Sequence, residues 1–574
     1  MFRFLCIILI SLLFHQDAIA DKNFQIKNIH VQLNAQVDEA CLNNVRARLK
    51  NFFTKQYLQD ASTFESTINK SISSIQVAME PYGYFSTHII SKKRKIGTNQ
   101  WQVIYDITPG ERVFVSGMSL KIPEEIIKQT NIYHEVSALL ALNNQYYDGI
   151  ALKAYKDKIL EKLQQFGYPF ATFNEAYMKF VAPNKVVISL QLALNHRYHF
   201  GDIAIKHNDG LNDAFVRRYS QFKPGDPYNV IKVNDFQKSL TDSGYFDEVM
   251  VDPANWNQKN NAVPVVVDVV NRKPTQTSYA IGYDDRYHVG GTINYQIKPL
   301  NADGHAFESM VRLYSQKFIQ VQTNYLIPSH DPLRNFYVLS GQILTQDLAE
   351  SKARNIRLSA SSNWFLNHWR IFPSINLLLE DSEPIGQPKY TTHLVFPELN
   401  VFYTLKEPVK WIKRLQLELS GMATAKSFLS DITMNKVILR GETLVPLNRF
   451  MNFRLAGSAG NISSPTLDNV PLTLQFYAGG PYSLRGYAYN SIGPGRYAKN
   501  ISYELQFPIT DLWGTLAFID TGVASNHWSE KMKRGIGVGV SMDLKVVGLQ
   551  VSVARPLDDE NEDFKIQFLV QSKS

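Results

Sequence analysis

From about Asn271 onward the chain breaks into segments of about ten residues in which apolar and polar side chains alternate. The first puts Thr277, Tyr279, Ile281 and Tyr283 on one face and Ser278, Ala280, Gly282 and Asp284 on the other. Asn335–Leu344, Arg357–Trp364 and Arg414–Ala423 repeat the pattern, and about sixteen such segments fit into roughly the last three hundred residues. A period of two belongs to a strand, whose successive side chains point to opposite faces. So many long strands with one apolar face would aggregate in water as an open sheet. Closed on themselves in lipid they are stable, so the expected fold is a transmembrane barrel of about sixteen antiparallel strands.

Composition agrees. Aromatic residues make up 12% of the chain, with 29 Tyr and 33 Phe, which suits girdles at membrane interfaces. After the first residues no stretch of about eighteen uninterrupted apolar residues occurs, which argues against a helical membrane protein. The net charge of +8 is modest and spread out. It fits a plain solvated surface better than a basic face toward anionic headgroups, and no compact basic–aromatic patch calls for a nucleic acid.

Met1–Ala20 reads as a secretory signal, with Arg3, the apolar run Phe4–Phe14 and the small-x-small site Ala18-Ile19-Ala20. Cleavage there would leave Cys41 as the sole cysteine and no disulfide framework. At the other end, Phe564, Ile566, Phe568 and Val570 would face lipid, with Lys565 and Gln567 inward.

The first half carries a repeat. Pro81-Tyr82-Gly83-Tyr84-Phe85, Phe166-Gly167-Tyr168-Pro169-Phe170 and Ser243-Gly244-Tyr245-Phe246 recur about 80 residues apart. Each follows an amphipathic helix: Phe64, Ile68, Ile72, Ile75 and Met79 mark one stripe, Leu152, Tyr155, Ile159, Leu163 and Phe166 the next, and Val233, Phe236 and Leu240 the third. Glycine ends each helix where a left-handed cap suits it, and the aromatics are expected to begin a strand. Each unit opens with a strand (Phe24–Val31, Arg112–Leu120, Tyr198–Ile205) and closes with another, as in Gln102–Ile107 and Val265–Val270. The order strand, helices, strand, strand places helices over one face of a small mixed sheet. It resembles the polypeptide-transport-associated (POTRA) domain, and the unit from Phe222 to Phe246 matches best.

Catalytic chemistry is not evident. Gly535-Ile536-Gly537-Val538-Gly539-Val540 resembles a phosphate loop, but it lies inside a strand pattern with no helix behind it. The 13 histidines show no metal-ligand spacing, and no nucleophile elbow or carboxylate pair stands out. The expectation is therefore no enzyme, no metal and no cofactor.

The most specific stretch is Gly479-Gly480-Pro481-Tyr482-Ser483-Leu484-Arg485-Gly486-Tyr487, followed by two strands with one acid each, Glu504 and Asp520. An Arg on such a loop could fork onto carboxylates in a polar interior, although by spacing alone a surface turn with an incidental Arg fits equally well. Alternation turns Glu504 and Gln506 inward, opposite Tyr503, Leu505 and Phe507. It does not decide for Asp520, which shares its face with Leu516 and Phe518; the cost of a carboxylate in lipid points it to the lumen.

This loop, together with Phe518-Ile519-Asp520-Thr521-Gly522, resembles the signature of the outer-membrane assembly-factor superfamily typified by BamA and TamA. The resemblance covers nearly the whole chain after the signal, and three POTRA-like units point to the TamA branch. It implies a loop motif of Leu484, Arg485, Gly486 and Tyr487, with Arg485 held by Glu504 and Asp520. It also implies a lateral seam between the first and last strands, carried by Tyr279, Ile281, Tyr283, Phe564, Ile566 and Phe568. The segment Phe564–Val570 lacks the glycine such final strands often bear, which leaves inward curling in doubt; Lys565 and Gln567 are expected to weaken pairing there by preferring lumen water. Expected divisions are 1–20 for the signal, 21–109, 110–196 and 197–273 for the POTRA-like units, and 274–574 for the barrel. The implied setting is the outer membrane with the repeats in the periplasm. A TamB-like inner-membrane-anchored partner and outer-membrane client proteins would be its associates. A two-partner secretion transporter and a passive channel stay open as alternatives.

Overall fold

The computed structural model describes residues 25–33, 37–54, 61–97, 100–254, 256, 260–284, 287–348, 351–405, 408–409, 411–544, 547–559 and 563–572. The expected signal Met1–Ala20 lies outside them. Two compact units emerge: Met1–Asp202 with Lys223–Ile231 and Ala254–Pro264, and Ile203–Phe222 with Lys232–Pro253 and Val265–Ser574.

Three small α+β repeats come first. In the first, strand Gln25–Leu33 is followed by helices Glu39–Thr54 and Ala61–Met79 and strands His88–Gly97 and Gln100–Thr108. The last strand is central, parallel to the first and antiparallel to the second. The second repeat builds the same sheet from Phe114–Lys121, Thr172–Ala182 and Lys185–Ala193. The third builds it from His199–Lys206, Phe246–Pro253 and Ala262–Asn271. The helical stripes are buried: Phe64, Ile68, Ile75 and Met79 in the first repeat, Ile159 and Leu163 in the second, Val233, Phe236 and Leu240 in the third. Cys41 belongs to the first core, where burial pushes its thiol up to about 11 and keeps it protonated at neutral pH.

Gly83, Gly167 and Gly244 all take the left-handed conformation, with φ of 89°, 96° and 74°. The expected start of a strand at the following aromatics holds only in the third repeat, where Phe246 opens it. In the other two the strand begins later, at His88 and Thr172. Here the aromatic completes the helix cap instead, with the Tyr84 N–H donating to the Met79 carbonyl and the Tyr168 N–H to that of Leu163. This is the Schellman arrangement, which satisfies a helix-end carbonyl and buries the ring over the last turn.

The rest of the chain forms one antiparallel sheet of 16 strands, from Thr275–Asp284 to Lys565–Ser572, with each strand beside its predecessor in sequence. Leu339, Ile343, Ile356, Leu358, Leu417 and Leu419 are exposed on the outer face, while Glu442, Arg454 and Glu504 point inward. Exposed Trp364, Trp369, Phe450 and Trp513 sit beside the short turns at one end, as an interfacial girdle would. The glycine-rich run Gly535–Val540 lies within strand Lys533–Asp543. One connection is long: between strands Met451–Ser463 and Tyr497–Pro508 the chain makes a short 3₁₀ turn, Leu472–Leu474, and a small separate hairpin, Phe476–Ala478 with Ile492–Gly495.

The cap geometry gives a test. A Cβ on Gly167 would lie 2.7 Å from the Tyr198 carbonyl oxygen, whereas one on Gly225, also at positive φ, meets nothing within 4 Å. Gly167→Ala should destabilise the repeats by about 1–3 kcal/mol, and Gly225→Ala by clearly less. Urea unfolding followed by the helical circular-dichroism signal measures both, and equal midpoints for the two variants would remove the steric argument.

Candidate functional site

The loop between strands Met451–Ser463 and Tyr497–Pro508 is folded inward at its tip. Gly479, at φ 108°, leaves no room for a side chain, since a Cβ there would stand 2.2 Å from the Ala488 carbonyl oxygen. The turn is closed by the Gly480 N–H donating to the Leu484 and Tyr487 carbonyls, both at 3.1 Å, and by the Ser483 hydroxyl bonded to Gly479. This tight coil aims Leu484, fully buried, and Arg485, 4% exposed, into the barrel wall.

Arg485 uses its whole fork. Its Nε and Nη2 donate to Asp520 Oδ2 and Oδ1 at 2.7 and 2.8 Å, its Nη1 to Glu504 Oε2 at 2.7 Å, and Nη2 also to the Ser502 hydroxyl at 2.9 Å. Its backbone N–H adds a bond to Asp520 Oδ2 at 3.1 Å. The guanidinium carbon stands 3.3 Å from the centroid of the Phe518 ring. Both acids are 2% exposed. Two more donors complete their shells: Ser502 Oγ to Asp520 Oδ1 and Gln506 Nε2 to Glu504 Oε1, each at 2.7 Å. The structure thus brings Arg485, Glu504 and Asp520 together. Leu516 and Phe518, which made Asp520 ambiguous in sequence, are inside as well, at 3% exposure.

The pair is part of a longer row. Arg454 reaches Glu504 at 3.9 Å and Glu442 at 2.8 Å, and Glu442 also binds Arg414. Arg414, Glu442, Arg454, Glu504, Arg485 and Asp520 therefore alternate in sign along the inner wall. Three cations balance three acids, so no carboxylate faces its desolvation alone. Neither Arg454 nor Glu442 stood out in the sequence, because single charges at alternate positions recur on many of the strands.

Strand Lys533–Asp543 makes room for this arrangement. A Cβ on Gly535 would sit 2.0 Å from the Arg485 carbonyl oxygen, one on Gly537 2.5 Å from both the Phe518 ring and the Val553 carbonyl oxygen, and one on Gly539 2.7 Å from the Val551 carbonyl oxygen and 3.2 Å from Leu516. Gly535 and Gly537 clear the inner face for the loop and its aromatic support, and Gly539 is limited by the neighbouring strand.

The first half of the loop is held at a second place. Glu380, fully buried, accepts from the Thr473 N–H at 3.1 Å and the Thr473 hydroxyl, from Ser382 at 3.0 Å and from Asn355 at 3.3 Å. The Lys436 ammonium donates to the Leu474 carbonyl at 2.7 Å and lies over the Phe476 ring. Phe476 in turn packs into an apolar cluster with Leu378, Leu394, Phe396 and Met434. A lumen cavity of about 930 Å³ remains, lined among others by Glu418, Arg440, Glu442, Tyr482, Arg485 and Asp520.

The seam residues lie where the sheet ends. Among the described residues, no ladder joins strand Thr275–Asp284 to strand Lys565–Ser572. Every residue from Thr275 to Tyr283 is exposed, with Tyr279 at 74% and Ile281 at 89%. The two strands approach at Tyr283 and Phe568, whose ring centroids are 5.9 Å apart. Ile566 and Phe568 point outward; Phe564 precedes the strand and lies beside the Arg555 guanidinium. The expectation for Gln567 is corrected. It does not seek lumen water but is 3% exposed, bonded to the loop backbone at Gly486 and Tyr487. Its strand keeps a continuous ladder, Lys565 to Ser572, with strand Val547–Pro556.

The Arg485 geometry makes a prediction. Arg485→Ala strands Asp520, while Glu504 retains Arg454, so the loss should be about 3–5 kcal/mol. Arg485→Lys should recover little of it, because an ammonium cannot fork onto two acids and stack on Phe518. Heat-modified migration of the folded barrel in electrophoresis reads this, and a wild-type melting temperature for Arg485→Ala would overturn it.

Comparison with known proteins agrees with this geometry. Residues 411–571 match the model of the Omp85 superfamily domain. Residues 198–272 match the POTRA model described as a surface antigen variable number repeat, and residues 30–109 match that of POTRA domain TamA domain 1. Among solved structures, BamA from Haemophilus ducreyi lacking POTRA domains 1–3 aligns with a TM-score of 0.66 at 15% identity, covering 81% of this chain and 100% of that one. CdiB from Acinetobacter baumannii aligns with a TM-score of 0.47 at 13% identity, covering 80% of this chain and 90% of that one. The chain carries an Omp85 superfamily domain preceded by POTRA domains, the first of them matching the TamA type.

Proposed function

We propose that this chain is an outer-membrane translocation and assembly factor of the TamA branch. It promotes insertion or secretion of β-barrel and autotransporter proteins through the seam between its first and last strands. The observation that carries the reading is the pair of sheet ends with no ladder between them among the described residues. Unpaired N–H and C=O groups at such an edge template an incoming strand, and a client that pairs there completes hydrogen bonds that lipid cannot supply. No fuel is needed, because folding of the client in lipid drives the step. Tyr279, Ile281, Tyr283, Phe564, Ile566 and Phe568 give the seam an apolar lining, and Arg485, Glu504 and Asp520 hold the loop that occupies the lumen behind it. The POTRA repeats, in the periplasm, receive clients and a TamB-like partner through their own sheet edges. The inward loop speaks against a passive channel, whose lumen must stay open.

Two experiments test this. Cysteines replacing Tyr283 and Phe568, whose rings already meet, should block client insertion when cross-linked and release it on reduction, with the barrel still folded; normal insertion in the cross-linked protein would eliminate the seam. Protease added to intact cells should spare the α+β repeats and cut them after permeabilisation, and cleavage in intact cells would reverse the orientation.

A further inference from the structure

We infer that Gln567 is the latch through which the inner loop holds the terminal strand at the open end of the sheet. Strand Lys565–Ser572 has a ladder on one side only, with Val547–Pro556; toward Thr275–Asp284 no ladder is present among the described residues. A strand laddered on one side only is held weakly in a bilayer unless something else fixes it. On its inward face the fixing group is Gln567. The Gly486 N–H donates to its Oε1 at 3.0 Å, and its Nε2 donates to the Tyr487 carbonyl at 3.0 Å.

The side-chain amide thus meets consecutive loop residues as a neighbouring peptide group would. The two partners also fix its orientation, because one is a donor and the other an acceptor. An ionised Glu here would have no donor, and a Lys no acceptor. The fit is close on the loop side too, where a Cβ on Gly486 would lie 2.8 Å from the Arg555 backbone.

What makes this a latch is the next residue in the chain. Arg485, adjacent to Gly486, is fastened to Asp520 and Glu504 on strands Trp513–Ser525 and Tyr497–Pro508. The terminal strand is therefore joined to those strands through the loop as well as through the ladders between them. It cannot leave its place without breaking the two bonds of Gln567 or drawing the loop off its acids. Gln567 is a positioning residue that acts through the loop. The inference rests on the seam reading only for its consequence, that opening the seam requires release of the loop; the latch itself is measured without a client.

The test is amide hydrogen exchange on the full-length protein in vesicles of phosphatidylethanolamine and phosphatidylglycerol, comparing wild type with Gln567→Met, which fills similar space without either hydrogen bond. Peptides spanning 563–572 and 479–491 should both exchange about tenfold faster, as the loss of two hydrogen bonds predicts. Strand Met434–Asn448 should exchange at the wild-type rate. Gln567→Asn, one methylene too short but milder for folding, should show the same pattern at smaller size. Wild-type exchange in both variants overturns the proposal. Equal acceleration in every strand does so too, since it reports a general packing loss. Acceleration of the terminal strand alone refutes coupling to the loop. If the latch pattern appears while cross-linking Tyr283 to Phe568 leaves insertion intact, the latch stands and the seam reading falls.

Discussion

The structure of the barrel interior depends on one buried cation. A guanidinium removed from water is tolerated only when its nitrogens find acceptors and its charge is balanced, and all three nitrogens of Arg485 do so, with two carboxylates and a hydroxyl, while a ring face covers the plane. Several features that look unrelated follow from this. Phe518 faces inward, against the rule for a membrane barrel, because it supports the guanidinium. Gly535 and Gly537 lack side chains where the loop backbone and that ring need the space. Arg454 and Glu442 extend the alternation of charge so that Glu504 is shared by two cations. The loop's first half is anchored independently, on Glu380 and Lys436, so its two ends are set by separate groups on the wall.

Much of this was legible in sequence where one physical rule acted alone. Alternation placed Tyr503, Glu504, Leu505 and Gln506 on their correct faces, and the helical stripes of the repeats identified their cores. It failed where two rules competed. On strand Trp513–Ser525 the inward face carries Leu516 and Phe518 beside Asp520, so period and polarity disagreed. The same conflict hid Glu380, whose inward neighbour two residues earlier is Leu378, buried in an apolar cluster beneath the loop. Gln567 was placed on the correct face, but its partners lie 80 and 81 residues away, on a loop whose path no local pattern gives. The glycines of Gly535–Val540 were assigned to a strand with no reason for being glycine, since that reason sits on the loop and on the neighbouring strand.

The sheet ends express a different balance. Fourteen of the strands have ladders on both sides, and the first and last have one each among the described residues. In a bilayer an unladdered edge is the least stable place in the sheet, and that is where a pairing partner gains most. Its outward side chains are aromatic and aliphatic, so lipid contact is preserved along an edge that carries no second ladder among the described residues. Inside, the loop fills the space behind the edge, which keeps the wall supported without closing the ladder.

The loop's fastenings also bear on the order in which the chain can fold. Thr473 binds Glu380 across 93 residues of sequence, and Gly486 binds Gln567 across 81 in the opposite direction. Contacts so distant form late, because the entropy of closing each large loop is lost before the bond is gained. Glu380 and Lys436 can receive the loop once the strands preceding it are in place, but Gln567 cannot be engaged until the final strand has been laid against its neighbour. Fastening of the loop's tip at Gly486 and seating of the last strand are thus coupled, and a chain arrested before that step would hold the loop by its first half while Gly486, Tyr487 and the final strand stayed unfastened together.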